Sequence, residues 1–411
     1  MLYYLVRPVA RYVLRYYFAR IDLTGLEHIP RDRPVILAAN HPTAFLEPCI
    51  LACFQPRTLR FLARGNLFRS RWARALLAAL HILPVYRRKD GDFAKVRRNH
   101  GTLAACYRAL GAGRAVMVLA EGHTVQERRL RPLRKVTARL ALGALEANPT
   151  LREVYVVPVG VNYGAADAVR STVMIRCGAP LLASDYRDTY RTQPARTIRA
   201  LTRELEDRLA ESVVHFPDPA ADDAHELWLE MHRNDCPDGG RGLTHDGTLL
   251  DAELAAARAL LAPEPLRHYG NRLRHYGIRD RDVVALNRGA PHHPGLAWWL
   301  TTALAGLLLL PQLPLWLLAE AIARSQTNYR EFFSPVRFAA VAIGTLLYPP
   351  ALFLLPPGGA VWLLLSLLLV RWAGARGQEF LDWSGRRRAR RAGPEVVELR
   401  RALVGHRGGG V

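Results

Sequence analysis

The sequence predicts an α/β fold: a layered mixed sheet flanked by helices, with an N-terminal amphipathic helix and membrane-embedded helices towards the C-terminus. Three observations predict it. Short apolar runs alternate with helix-like segments from residue 34 to about 180. The first run ends in a histidine with a carboxylate close behind it, Asn40-His41-Pro42-Thr43-Ala44-Phe45-Leu46-Glu47. Two apolar segments, 295–319 and 338–370, carry no formal charge, and each exceeds the roughly 20 residues a helix needs to cross a bilayer.

The elements follow in chain order. Residues 1–29 open with Arg7, Arg11 and Arg15 at four-residue spacing, one stripe of a helix filled out by Leu, Val and Tyr. That pattern predicts an amphipathic helix in the headgroup layer of a membrane. Residues 30–215 form the predicted catalytic domain, with strands at 34–40, 59–64, 82–87, 115–121, 154–162 and 172–177. Helices are predicted between them at 44–53, 70–80, 92–111 and 136–147, with a further one at 196–214. Residues 216–294 read as a helical extension with an acidic, turn-rich linker, in which Leu266-Arg267-His268-Tyr269-Gly270 recurs as Leu273-Arg274-His275-Tyr276-Gly277. Residues 295–370 hold two membrane-embedded segments, broken by Pro311, Pro314, Pro349-Pro350 and Pro356-Pro357. A basic tail, 371–411, carries Arg386-Arg387-Arg388 and Arg390-Arg391, which favours the cytoplasmic face. Two spans then place the catalytic domain and the tail together on the cytoplasmic side of the inner membrane.

The net charge of +21 sits before and after the apolar stretch, so the expected partners are membrane lipids and an anionic phospholipid surface. Nucleic acid is not expected, because no zinc spacing, basic zipper or RNA-recognition signature accompanies the charge. Five scattered cysteines form no CxxC, which predicts free thiols and no structural zinc. No metal-ligand set, Walker loop, dinucleotide fingerprint or Gly-x-Ser-x-Gly elbow is found in the sequence.

A histidine at the lip of a sheet with an acidic partner is what a general base needs. His41 is the predicted base, and Glu47 the carboxylate that orients its other ring nitrogen. Three further blocks follow. Leu62-Ala63-Arg64 precedes Ile82-Leu83-Pro84-Val85-Tyr86-Arg87; then come Val116-Met117-Val118-Leu119-Ala120-Glu121-Gly122 and Val156-Val157-Pro158-Val159-Gly160-Val161-Asn162-Tyr163. In this order and spacing the four blocks resemble the glycerolipid acyltransferase family, whose members acylate glycerol 3-phosphate and lysophosphatidate. The resemblance covers roughly residues 30–215.

The resemblance implies the glycerolipid acyltransferase fold, an acyl-CoA or acyl-carrier-protein co-substrate and no other cofactor. It also implies site residues. Arg64 and Arg87 stand at predicted strand ends as phosphate contacts, with Glu121, Gly122, Lys135 and Arg139 beside them; Pro158 shapes an acyl or thioester pocket. The commonest family pattern has four residues between histidine and aspartate, whereas this chain has five and a glutamate. The arginine that usually follows close after the third block's glycine is replaced by His123-Thr124, and the run Arg134–Arg139 is the expected substitute. These departures leave open a different lipid acceptor, or a lipid-binding scaffold without turnover.

Overall fold

The computed structural model describes residues 2–86, 99–236, 242–287 and 295–405. The chain divides into two compact units. The first comprises residues 1–213, 242–247 and 326–338; the second comprises 214–241, 248–325 and 339–411.

The first unit is built on one mixed sheet. Its described strands are β1 (Arg20–Thr24), β2 (Val35–Ala39), β3 (Leu59–Arg64), β4 (Ile82–Val85), β5 (Ala115–Leu119), β6 (Tyr155–Tyr163), β7 (Thr172–Cys177), β8 (Leu181–Leu182) and β9 (Gly242–Thr244). The spatial order is β4-β3-β5-β2-β6-β7-β1-β9, with β8 also on β6. From β4 to β6 every neighbour is parallel. The direction reverses at β7, and β1 and β9 run with β7. The carboxyl ends of β2, β3, β4 and β5 therefore share one edge of the sheet, where ligand sites of open α/β sheets gather.

Among the described residues, seven helices surround the sheet: α1 (Leu2–Tyr17), α2 (Leu46–Phe54), α3 (Arg71–Ala79), α4 (Asn99–Gly111), α5 (Val136–Ala147), α6 (Arg187–Thr192) and α7 (Pro194–Ala210). All five residues of β2, Val-Ile-Leu-Ala-Ala, are buried, because a central parallel strand is covered on both faces and reads as an unbroken apolar run. One of those faces packs on Leu140, Leu145, Leu201, Leu205 and Leu209 from α5 and α7. The six predicted strands are all present, shifted by at most a few residues at their ends.

Two parts of the first unit differ from expectation. Residues 20–24 are a strand and not part of the N-terminal helix. Their Arg-Ile-Asp-Leu-Thr alternation is a period-2 signal with an inverted meaning, since the polar face is buried as an ion cluster. Arg20 bonds Asp22 at 3.1 Å and Asp246 at 2.8 Å. The α1 stripe is also turned inward. Arg7 and Arg11 donate to the carbonyls of Gln55 and Cys53 at the end of α2, where unpaired carbonyls and the helix dipole favour cations. Arg15 lies over the Phe54 ring. Tyr4 and Leu5, not the arginines, face out.

The second unit is helical. Helices α8 (Asp222–Asp235), α9 (Thr248–Arg258), α10 (Pro263–Tyr276) and α11 (Asp280–Asn287) precede α12 (Leu296–Leu309), α13 (Leu313–Gln326), α14 (Arg330–Leu352), α15 (Pro357–Arg391) and α16 (Pro394–Gly405). The duplicated Leu-Arg-His-Tyr-Gly lies in α10, which buries Leu266, Tyr269 and Leu273 and stops at Gly277 with a left-handed φ of 59°. Arg400 of α16 bridges Asp280 and Asp235, each at 2.7 Å, and Tyr269 donates to Asp280.

The C-terminal boundaries need correction. The predicted segment 338–370 is divided between α14 and α15, and the predicted tail from residue 371 continues α15 without a break to Arg391. Among the described residues, two stretches are long and apolar enough to cross a membrane, Leu296–Gln326 and Pro357–Arg391. Both leave most of their apolar side chains exposed.

Candidate active site

The site is assembled where β2 and β5 end. Beyond Ala39 the backbone ladder to β6 is continued by a side chain. Asn40 donates to the Val161 carbonyl at 2.9 Å and accepts from the Val161 N–H at 2.7 Å. A primary amide presents the same donor and acceptor as a peptide group, so Asn40 supplies one more rung and fixes where the next residue emerges. That residue is His41, largely buried. Its backbone N–H donates to Glu121 Oε2 at 2.7 Å, which ties the end of β2 to the end of β5.

The His41 ring has different neighbours on its two nitrogens. Nδ1 faces Glu47 Oε2 at 3.8 Å, a charge-pair separation too long for a hydrogen bond. Both atoms are buried, and among the described residues neither has a hydrogen-bond partner. A carboxylate on the Nδ1 side favours the tautomer with its proton there and leaves Nε2 as the basic nitrogen. Nε2 lies 2.6 Å from the hydroxyl of Thr124. Glu47 is fully buried in the first turn of α2, and its other oxygen is held by the Thr43 N–H at 2.6 Å and the Thr43 hydroxyl at 2.9 Å. The extra residue between histidine and acid is absorbed in this loop, so His41 precedes the helix and Glu47 lies on it. Next to Glu47, burial pushes the Tyr163 phenol well above its usual range and keeps it neutral.

Glu121 acts as an organiser. Oε2 takes His41 N–H and a terminal nitrogen of Arg131 at 2.7 Å; Oε1 takes the Arg131 backbone N–H at 2.9 Å. Arg131 Nη2 also reaches the His123 carbonyl at 2.9 Å and the His41 carbonyl at 3.4 Å. Its other terminal nitrogen, Nη1, is buried without a hydrogen-bond partner among the described residues. Gly122 turns the chain at a left-handed φ of 71°, and a Cβ there would meet Arg134 Cγ at 2.9 Å.

The remaining predicted residues are more widely spread. Arg64 ends β3 on the same sheet edge as His41 and is exposed. Two strand spacings separate the two, about 10 Å. Arg87 lies outside the described residues. Lys135 and Arg139, at the start of α5, are exposed, and the arginine brought to His41 is Arg131. Pro158 sits inside the sheet. It is buried on β6 opposite Ala38, where the neighbour of β6 changes from β8 to β7, and its carbonyl accepts from the Gly178 N–H at 2.8 Å. A proline is tolerated at such a gap because no ladder bond is asked of its nitrogen.

Sequence reasoning missed Asn40, Thr43, Thr124 and Arg131. Thr124 and Arg131 lie in an irregular stretch between β5 and α5, where no periodicity marks one arginine or hydroxyl above another.

Residues 20–162 match the family model described as Acyltransferase. This part of the chain is similar to the acyltransferase family. One relative is glycerol-3-phosphate O-acyltransferase 2 of Saccharomyces cerevisiae, 28% identical over 127 residues. The match covers 31% of this chain and 17% of the yeast protein, so the chain spans under a fifth of that relative's length. Among solved structures, the 1-acyl-sn-glycerophosphate acyltransferase PlsC of Thermotoga maritima is 18% identical and aligns over 50% of this chain and 81% of its own, with a TM-score of 0.34.

Proposed function

We propose that the protein moves a fatty acyl group from a thioester, acyl-CoA or acyl-carrier protein, to the hydroxyl of glycerol 3-phosphate or lysophosphatidate, bound to the cytoplasmic face of the inner membrane. The observation that carries this reading is the His41 environment: a buried carboxylate facing Nδ1 and a hydroxyl 2.6 Å from Nε2. A base so arranged takes a proton from an alcohol placed where Thr124 Oγ1 now lies. The alcohol oxygen attacks the thioester carbonyl, a C–O bond forms, the C–S bond breaks, and the imidazolium returns its proton to the departing thiolate. The Arg131 guanidinium, ordered by Glu121, takes the part of the arginine missing after Gly122 and meets the acceptor phosphate; Arg64 stands further out on the same edge. The apolar stretches 296–326 and 357–391 support membrane binding, and the arginines near residue 390 support the cytoplasmic face.

The test is labelled acyl transfer from palmitoyl-CoA and palmitoyl-carrier protein, in nanodiscs, with glycerol 3-phosphate and lysophosphatidate offered side by side. His41→Ala is expected to lower turnover by about 10²–10⁴, the range of a general base. Full activity in that variant would overturn the assignment.

A further inference from the structure

Hydrogen bonds in the first unit constrain how the apolar helices meet the membrane. The segment between the two long apolar stretches does not hang free. Residues 326–338 belong to the compact unit of the catalytic sheet. The Ala44 N–H, three residues from the catalytic histidine, donates to the Glu331 carbonyl at 3.1 Å. Tyr17 of α1 meets the Ser334 hydroxyl at 2.7 Å and accepts from Arg337 Nε at 3.1 Å. Arg337 also donates to the Asp167 carbonyl at 2.6 Å, Arg330 pairs with Asp167 at 2.9 Å, and Phe338 packs edge-on against Tyr17.

The other end of the first apolar stretch is on the same side by connectivity. Residues 242–247 are part of the catalytic unit. Residues 248–294 carry charges throughout, and no apolar run in them is long enough to cross a bilayer. Leu296–Gln326 therefore begins and ends on the catalytic side. The same parity holds for residues 339–391. They start from the anchored Phe338, and past them α16 packs through Arg400 and Glu395 on α11 and α10, which lie in that same charged stretch.

Lengths agree. Leu296–Leu309, the residues 338–352 of α14 and the uncharged start of α15, 357–370, hold 14 or 15 residues each. At 1.5 Å per residue that is about 21–22 Å, against about 30 Å of hydrocarbon. A 3₁₀ turn at Leu310–Gln312, containing Pro311, interrupts the first stretch, and Glu320 and Arg324 follow it. The α12–α15 pair has one aromatic and one deep end. Trp298, Trp299, Phe380 and Trp383 cluster at one end, next to the arginines of α15. At the other, Gln312 donates to Ser366 at 2.8 Å, both buried, as two polar side chains do when hydrocarbon offers no other partner.

We propose that 296–326 and 339–391 each enter the membrane from the catalytic side and return to it. The protein is then held by one face of the bilayer, no segment crosses it once, and residues 327–338 stay with the catalytic unit. This replaces the two-span topology expected from hydropathy, in which residues 320–337 lie on the far side.

Single cysteines test this in a full-length Cys236→Ser background, with a membrane-impermeant maleimide applied to sealed right-side-out and inverted vesicles. Asn328→Cys, at an exposed position before α14, is expected to label from the same face as Arg203→Cys on the exposed side of α7, at least tenfold faster than from the other. Leu310→Cys and Leu354→Cys are expected to stay unlabelled from both faces until detergent is added. Labelling of residue 328 only from the face opposite residue 203, or of residue 354 from that opposite face, would overturn the proposal. So would labelling of residues 310 and 354 in intact vesicles at the rate of residue 203, which would mean no membrane insertion. The readout needs no turnover, so it stands or falls separately from the acyltransferase reading.

Discussion

The two nitrogens of His41 meet opposite chemistry, a buried carboxylate at 3.8 Å and a hydroxyl at 2.6 Å, which suits the base proposed above. The hydroxyl belongs to the protein, so in the proposed reaction an acceptor alcohol has to displace it to reach Nε2. Thr124→Val removes that competitor while keeping its shape. One hydrogen bond is worth about 0.5–1.5 kcal/mol net, so steady-state assays are expected to show a KM for acceptor lowered about two- to tenfold, with kcat changed less than threefold. A collapse of kcat would make Thr124 a participant instead of a placeholder. The cysteines nearby are inert by the same reasoning about environment. Burial pushes the Cys49 thiol up to about 12 and Cys53 up to about 11, with the other's charge and Glu47 adding to the effect at Cys49. Only the thiolate is nucleophilic, and at pH 8 a thiol with a pKa of about 12 is ionised about one part in ten thousand. Iodoacetamide at pH 8 is expected to leave both unmodified in the folded protein by peptide mass analysis, and to modify them once the chain is unfolded in urea.

At the scale of elements, the site depends on how two strand ends are tied to their neighbours. Asn40 does for β2 and β6 what backbone would do if the strand went on. Asn40→Ala leaves a buried N–H and a buried carbonyl of Val161 unpaired, each costing about 1–3 kcal/mol. Urea titration is expected to show a loss of about 2–6 kcal/mol, with a larger relative loss of kcat than the stability change explains, because His41 is no longer aimed. Asn40→Asp restores the acceptor only and is expected to fall between. The α1 arginines teach a related lesson. Their four-residue stripe fits a membrane surface and a helix C-terminus equally well, and the open carbonyls of α2 decided between them.

For the whole molecule, the notable feature is the return of residues 326–338 to the loop after His41 from nearly 300 positions away in the chain. Arg337 is buried between Tyr17 and the Asp167 carbonyl. Arg337→Ala is expected to cost about 2–3 kcal/mol through the partners it strands. Hydrogen exchange is expected to speed up in residues 41–47 and 330–338 together, while the centre of the sheet, β2 and β5, is unchanged. Faster exchange in 330–338 alone would show that the Ala44–Glu331 bond does not hold the catalytic loop.

The sequence by itself determined the sheet's main strands and three of the residues at its carboxyl edge. A central parallel strand has to be apolar along its whole length, so β2, β5 and β6 announce themselves. His41 and Glu121 follow from those strands because each lies two residues past a strand end, and Glu47 follows as the first carboxylate after His41. What the tertiary structure decided was every partner that arrives from elsewhere in the chain. Asn40 meets Val161, Arg131 closes over Glu121 and Thr124 over His41, and Asp246 and β9 complete β1. None of these carries a local signal, because a hydrogen bond between distant residues leaves no period in the sequence. The apolar segments show the same division. Hydropathy located the apolar residues, but Glu331, Ser334 and Arg337 tie the segment between them to the first unit through three polar contacts that a hydropathy profile averages away.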